Sequence, residues 1–241
     1  MFKRFFAFGC SWTEFIWPTW ADIVSWDLEI PYENWGMSGG CNQSIQIRLV
    51  ECDFRNTFTP EDLIVINWTG FNRESRFKKT DWNTGGSVFN NLNYSKEWVN
   101  KYWDPDWDEM RNKSIIHLVG KAYGDLISYQ SSIAEYEDGS DIAEFYSRHI
   151  KKIPLFQVNN SFYNGRCSDP HPDILAHLNY VETQLYPALN LGPVKQSTKD
   201  KCNMIFNRIA EVLDPNDDWN SMEQKTLSIT RDFIKNKKYG F

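Results

Sequence analysis

Phe5-Phe6-Ala7-Phe8 is an apolar run that stops at Gly9, and Ser11 follows within two positions. Such a run reads as a buried strand that ends in a tight turn, since glycine lets the backbone reverse without a side-chain clash. The turn leaves Ser11 at the carboxyl end of the strand, the edge at which open parallel sheets bind their ligands. Ser11 is therefore the candidate nucleophile. A serine hydroxyl is a weak nucleophile by itself, so the rest of the chain has to supply a base and donors for a developing oxyanion.

The segments that follow alternate between helix and strand. Residues 18–28 place Trp20, Ile23, Val24 and Leu28 at helical spacing, and residues 30–35 predict a short second strand. That strand runs into Asn34-Trp35-Gly36-Met37-Ser38-Gly39-Gly40-Cys41-Asn42, whose three glycines in five positions mark a loop where backbone passes close to something. Asn42 can cap a helix whose apolar face is Ile45, Leu49 and Cys52. A loop N–H just before such a helix start is a good oxyanion donor, because the helix dipole points the same way. Leu63-Ile64-Val65-Ile66 suits a strand buried on both faces, and a polar, glycine-containing loop over residues 67–73 follows it. The order of strand, helix, strand, helix, strand implies right-handed crossovers and a parallel sheet.

Residues 74–109 carry no sustained periodicity and are rich in Asn, Gly, Trp and Tyr, as expected of an irregular, lid-like insertion. Asp104, Asp106 and Asp108 alternate like the start of a calcium loop, but Glu109 stands where that loop needs Gly and Ile115 where it needs Glu. They read as surface charges. Ile115, Val119, Ala122, Leu126 and Tyr129 predict a long helix over 112–137, followed by a helix around 141–149 and a strand over 153–158. A loop then leads to Asp169-Pro170-His171-Pro172 and a helix over 173–189. Beyond a break at Pro193, residues 197–213 and 221–236 predict two more helices. The expected organisation is one domain over 1–191, with a helical C-terminal appendage over 192–241 packed on it.

A net charge of -6 argues against nucleic acid as the main partner, because phosphate binding needs a basic face. Cys10, Cys41, Cys52, Cys167 and Cys202 form no CxxC pair, so free thiols in a reducing compartment are expected, and neither a disulfide frame nor a zinc site. Only four apolar residues follow Lys3 and Arg4, too few for a signal-peptide core, and no apolar run approaches membrane length. The expectation is a soluble, cytoplasmic protein with no membrane partner, no metal and no cofactor.

In a parallel sheet the loops after Phe8, Trp35 and Ile66 and the one holding Asp169 and His171 open on one edge, so distant residues can converge there. This arrangement resembles the SGNH (GDSL-type) hydrolase family. Phe8-Gly9-Cys10-Ser11-Trp12-Thr13 is similar to the block with the nucleophilic serine, with Cys10 where the family has Asp. Asn34 to Asn42 is similar to the second block, whose glycine N–H belongs to the oxyanion hole and matches Gly39 best. Val65 to Asn72 is similar to the third block, which contributes an asparagine side chain. It lacks the family's Gly-x-Asn-Asp, so the donor is Asn72, Asn67 or Thr69, with Asn72 favoured. Asp169-Pro170-His171-Pro172 is similar to the last block, which supplies acid and base. The match covers about the first seventy residues and residues 153–189. The resemblance implies a three-layer α/β/α sandwich with a mostly parallel central sheet, of the flavodoxin-like SGNH hydrolase kind. It also implies a serine esterase working through an acyl-enzyme, with His171 as base, Asp169 holding its tautomer, and an oxyanion hole from Ser11, Gly39 and Asn72.

Each residue also has a plainer reading taken alone. Ser11 could be a helix cap, Asp169 a turn or capping residue, and His171 a surface histidine like His117, His149 and His177. Cys10 as the nucleophile is disfavoured, since a thiol there is more often buried and inert. Because the insertion is polar and aromatic, with few aliphatics, a small polar acyl ester such as an O-acetylated carbohydrate is the expected substrate. The rivals are a non-catalytic carbohydrate-binding or assembly protein that keeps the fold, and an O-acyltransferase with the same triad.

Overall fold

The structure is a computed structural model that describes residues 2–78, 81–90, 93–134, 154–156, 163, 169 and 171–234. Its centre is a parallel sheet of four strands: β1 (Arg4–Phe8), β2 (Tyr32–Asn34), β3 (Asp62–Trp68) and β6 (Tyr129–Ser132), in the spatial order β2-β1-β3-β6. Leu155 adds a parallel bridge to Ser132 beyond β6. The connection from β1 runs outward to β2, and the next strand returns to the other side of β1. The sheet therefore reverses its winding at the carboxyl end of β1, where Ser11 lies.

The apolar runs of β1 and β3 are continuous because both faces of the sheet are covered. Phe5 and Ala7 of β1, with Leu63 and Val65 of β3, pack into one core with Trp20, Ile23 and Val24 of α1 (Trp20–Leu28). That core also takes Ile174, Leu178 and Val181 from a further helix, and Cys202, Ile205, Phe206 and Ile209 from another. Phe6, Phe8, Ile64, Ile66 and Trp68 point the other way, onto Ile45 and Leu49 of α2 (Asn42–Asn56) and Ile115, Ile116 and Val119 of α4 (Pro105–Tyr123). Each such side chain, fully buried, contributes roughly 1.5–3 kcal/mol, so the two faces fix the register of the sheet. The amino end of β1 is fixed by charge: the Arg4 guanidinium donates to both carboxylate oxygens of Asp62 at 2.7 Å.

Several elements differ from the sequence expectation. The segment 74–109 has regular structure. An antiparallel hairpin of β4 (Arg73–Lys78) and β5 (Asp81–Ser87) leads through a 3-10 turn to α3 (Lys96–Tyr102) and then to α4. Asp104 caps α4, accepting from the N–H groups of Asp106 and Trp107, and Pro105 opens its first turn. Asp108 is not a surface charge: it is buried, pairs with Arg111 at 2.8 Å and accepts from the Trp103 indole. The long helix ends at Tyr123, before Gly124, and Tyr129 belongs to β6. Asn67 and Trp68 lie in β3, not in the loop after it. The expected helix around 141–149 lies outside the described residues, as does the strand over 153–158 apart from 154–156.

The predicted helix over 173–189 is α5, running through Ile174–Tyr180, a π-helical turn at Val181–Leu185, and Tyr186–Ala188. Pro187 has no N–H to continue the ladder, and the wider turn precedes it, with Tyr186 donating to Val181. The C-terminal helices are α6 (Gln196–Val212) and α7 (Trp219–Thr230). Asp27 of α1 accepts from the Tyr186 hydroxyl and the Lys195 N–H, both at 2.8 Å, and so ties α5 and the start of α6 to the first helix. Among the described residues no helix is long and apolar enough to cross a membrane.

Candidate functional site

Ser11 sits in the turn that closes β1. The Cys10 carbonyl accepts from the N–H groups of Thr13 and Glu14, at 2.9 and 3.1 Å. Only glycine fits at position 9, because a Cβ there would lie 2.1 Å from the Thr13 hydroxyl oxygen and 3.0 Å from the Asn67 carbonyl. Ser11 caps no helix; α1 begins at Trp20, capped by Thr19, whose N–H donates to Asp22. Cys10 is fully buried in the core.

The structure brings Ser11, His171 and Asp169 together across 160 positions of sequence. His171 Nε2 lies 2.7 Å from Ser11 Oγ, and His171 Nδ1 lies 2.5 Å from Asp169 Oδ1. The His171 backbone N–H also donates to Asp169 Oδ1, at 2.9 Å, so the short Asp-Pro-His spacing folds the carboxylate back over its own histidine. An ionised Asp169 can only accept, which places the imidazole proton on Nδ1 and leaves Nε2 to accept from the Ser11 hydroxyl. A hydroxyl aligned on such an imidazole can lose its proton as it attacks an electrophile, and the carboxylate then stabilises the imidazolium.

The loop after β1 is pinned from several sides. The Thr13 carbonyl accepts from Thr19 Oγ1 and Asn34 Nδ2, at 2.7 and 2.8 Å. Asn34 Oδ1 accepts from the Gly36 N–H, and the Ser38 N–H donates to Glu14 Oε2. Buried Arg48 donates to the Trp35 carbonyl at 2.8 Å, which fixes the second loop to α2. Phe15 lies flat on the His171 ring, with centroids 4.0 Å apart, and the Trp17 indole donates to the Pro172 carbonyl at 2.9 Å.

The residues expected to hold an oxyanion lie along one neighbouring strand. Gly39 takes φ 73°, a conformation that favours glycine, and its carbonyl accepts from the Gly86 N–H of β5. Asn72 Nδ2 donates to Ser87 Oγ of the same strand at 3.1 Å. Neither is hydrogen-bonded to Ser11 among the described residues. Of the two alternatives for Asn72, Asn67 turns into the core, donating to Ser131 Oγ, which in turn meets the Tyr180 hydroxyl. Thr69 is held through its backbone: the Asn42 side chain accepts from its N–H and donates to its carbonyl, both at 2.8 Å. Asn42 is thus no helix cap. Cys41 occupies the cap position, and Asn42 clamps the loop after β3 together with Asn112 of α4, which donates to the Phe71 carbonyl.

Asn34 is marked only as the first residue of the second block, and Phe15 and Asn112 carry no motif that marks them in the sequence. His177 does carry one: with Ile174, Leu178 and Val181 it falls on one stripe of α5, and it is buried, not at the surface. Burial, helped by the charge of His171 nearby, pulls its pKa down to about 3, and its Nδ1 has no hydrogen-bond partner among the described residues. His117 is half-buried, and His149 lies outside the described residues. Among the described residues no three His, Cys, Asp or Glu side chains gather as metal ligands.

Comparisons with protein-family models, with curated proteins and with solved structures return no match.

Proposed function

We propose that this protein is a serine ester hydrolase related in architecture to the flavodoxin-like SGNH hydrolases, acting on small polar acyl esters. The observation that carries the reading is the hydrogen-bonded series Asp169–His171–Ser11 at the carboxyl edge of β1. In the proposed reaction Ser11 Oγ attacks the ester carbonyl carbon while its proton passes to His171 Nε2. The tetrahedral intermediate collapses, the bond to the alkoxy oxygen breaks, and that oxygen takes the proton from His171 and leaves as the alcohol. Water then attacks the acyl-serine, gives a proton to His171, and the Ser11 oxygen departs and recovers it, releasing the acid. The oxyanion is assigned to the N–H groups of Ser11 and Gly39 and to Asn72. An amide nitrogen has two donors, and the bond to Ser87 uses one.

An O-acetylated carbohydrate is the proposed substrate, in keeping with the exposed rings of Phe77, Phe89, Tyr102 and Trp107 in and beside the insertion. Cys10, Cys41, Cys52 and Cys202 are free and buried, which fits a reducing, cytoplasmic setting. The test is turnover of para-nitrophenyl acetate. Ser11→Ala and Asp169→Asn are expected to lower kcat by about a thousandfold or more. Turnover by wild type that is equal to that of Ser11→Ala would overturn the proposal.

A further inference from the structure

The aromatic packing on His171 is more than core filling. Phe15 is almost fully buried and lies nearly parallel to the imidazole, with a 23° interplanar angle at 4.0 Å. Its position is fixed by two other rings: Trp17 meets it edge-on at 4.5 Å, and Trp219, the first residue of α7, meets it at 5.9 Å. The far end of α7 is tied to the same loop, since Thr230 Oγ1 donates to the Ile16 carbonyl at 2.6 Å. The C-terminal helix therefore braces the loop that carries Phe15, in addition to closing the core.

We infer that Phe15, braced by Trp17 and Trp219, is a positioning residue for His171 that holds the imidazole toward Ser11 and stabilises its protonated form. The inference rests on the esterase reading. Two contacts fix the ring in its own plane, at Nδ1 and Nε2, and the Phe15 face fixes its tilt. A cation lying against an aromatic face is attracted by the ring quadrupole, and more strongly where water is excluded. The proton taken from Ser11 makes His171 such a cation in the transition state. Among the described residues, the titratable groups facing His171 are Asp169 at Nδ1 and His177 of α5, which burial holds neutral. At the start of α7, Asp217 is paired with Lys225, and Asp218 caps the helix. Among the described residues, Ser11 meets the imidazole at Nε2 and Phe15 covers its face.

The test is NMR titration of the His171 ring, assigned by the signal lost in His171→Gln, in wild type, Phe15→Leu and Phe15→Tyr, alongside the pH profile of kcat/KM. Leucine keeps the site apolar and removes the quadrupole. The His171 pKa is expected to fall by about half a unit or more in Phe15→Leu, with the acid limb of kcat/KM shifting by the same amount. Phe15→Tyr, which keeps the ring, should stay near wild type. Phe15→Met serves the same purpose if the leucine variant does not fold. A merely structural role would lower Tm and leave the titration in place. Equal His171 pKa values in wild type and the ring-less variant would overturn the inference. Absence of Ser11-dependent turnover would overturn the esterase reading, leaving the titration as a separate answer.

Discussion

His177 couples the fold to pH. Burial lowers its pKa to about 3 from an ordinary 6.5, so below about 6.5 the unfolded chain takes up a proton that the folded chain refuses until about 3. Its contribution to stability is therefore lost as pH falls through that window, by an amount on the order of a few kcal/mol. His177→Leu, which has nothing to titrate, is expected to flatten the fall in the urea midpoint between pH 7 and pH 4 relative to wild type. An unchanged slope would count against a neutral, buried imidazole. The same residue marks a limit of reading single positions. Ser11 is legible in sequence because it stands just past the end of the apolar run of β1, and Asp169 and His171 because they stand two apart just before a helix. Phe15 acts through what covers it, and a phenylalanine in a run of mixed residues does not announce its cover; the burial of His177 shows only in the helical stripe it shares with Ile174, Leu178 and Val181.

At the scale of elements, the loops after β2 and β3 act as one unit. The Asn42 amide pairs with both backbone groups of Thr69 and also meets Asn112, so the start of α2 and the middle of α4 hold the segment that leads to Asn72. Asn42→Asp removes the donor and sets a carboxylate against the Thr69 carbonyl, which should cost about 1–3 kcal/mol in stability. On the proposed function it should also lower kcat roughly a hundredfold, with less effect on KM, because donors misplaced by about an ångström lose most of their effect. Urea denaturation and steady-state kinetics check both numbers. β1 and β3 were readable as strands because both their faces are apolar. β6 was not, since its inner residues Ser131 and Ser132 are buried through hydrogen bonds with Asn67, Tyr180 and the Pro154 backbone. Its Tyr129 happened to continue the helical spacing of α4. The β4–β5 hairpin escaped for a related reason: most of its side chains are only partly covered, so its pairing leaves little hydrophobic alternation.

At the scale of the molecule, the C-terminal helices share the main core. Cys202, Ile205, Phe206 and Ile209 of α6 pack with α1 and α5, and α7 reaches back to the loop after β1. Removing four such side chains forfeits roughly 1.5–3 kcal/mol each, a sum comparable with the 5–15 kcal/mol by which whole domains are stable. A chain ending at residue 191 is therefore expected not to unfold cooperatively in urea, whereas the full chain should. Retained cooperativity would mean that the appendage is dispensable.

The central claim, that Ser11 is a nucleophile activated by His171, is tested most directly by treating the protein with a fluorophosphonate and mapping the modified peptide by mass spectrometry. The account predicts a single adduct on Ser11 in wild type, none in Ser11→Ala, and labelling slowed by orders of magnitude in His171→Ala. An adduct at another residue, or no adduct on a folded wild-type protein, would contradict it.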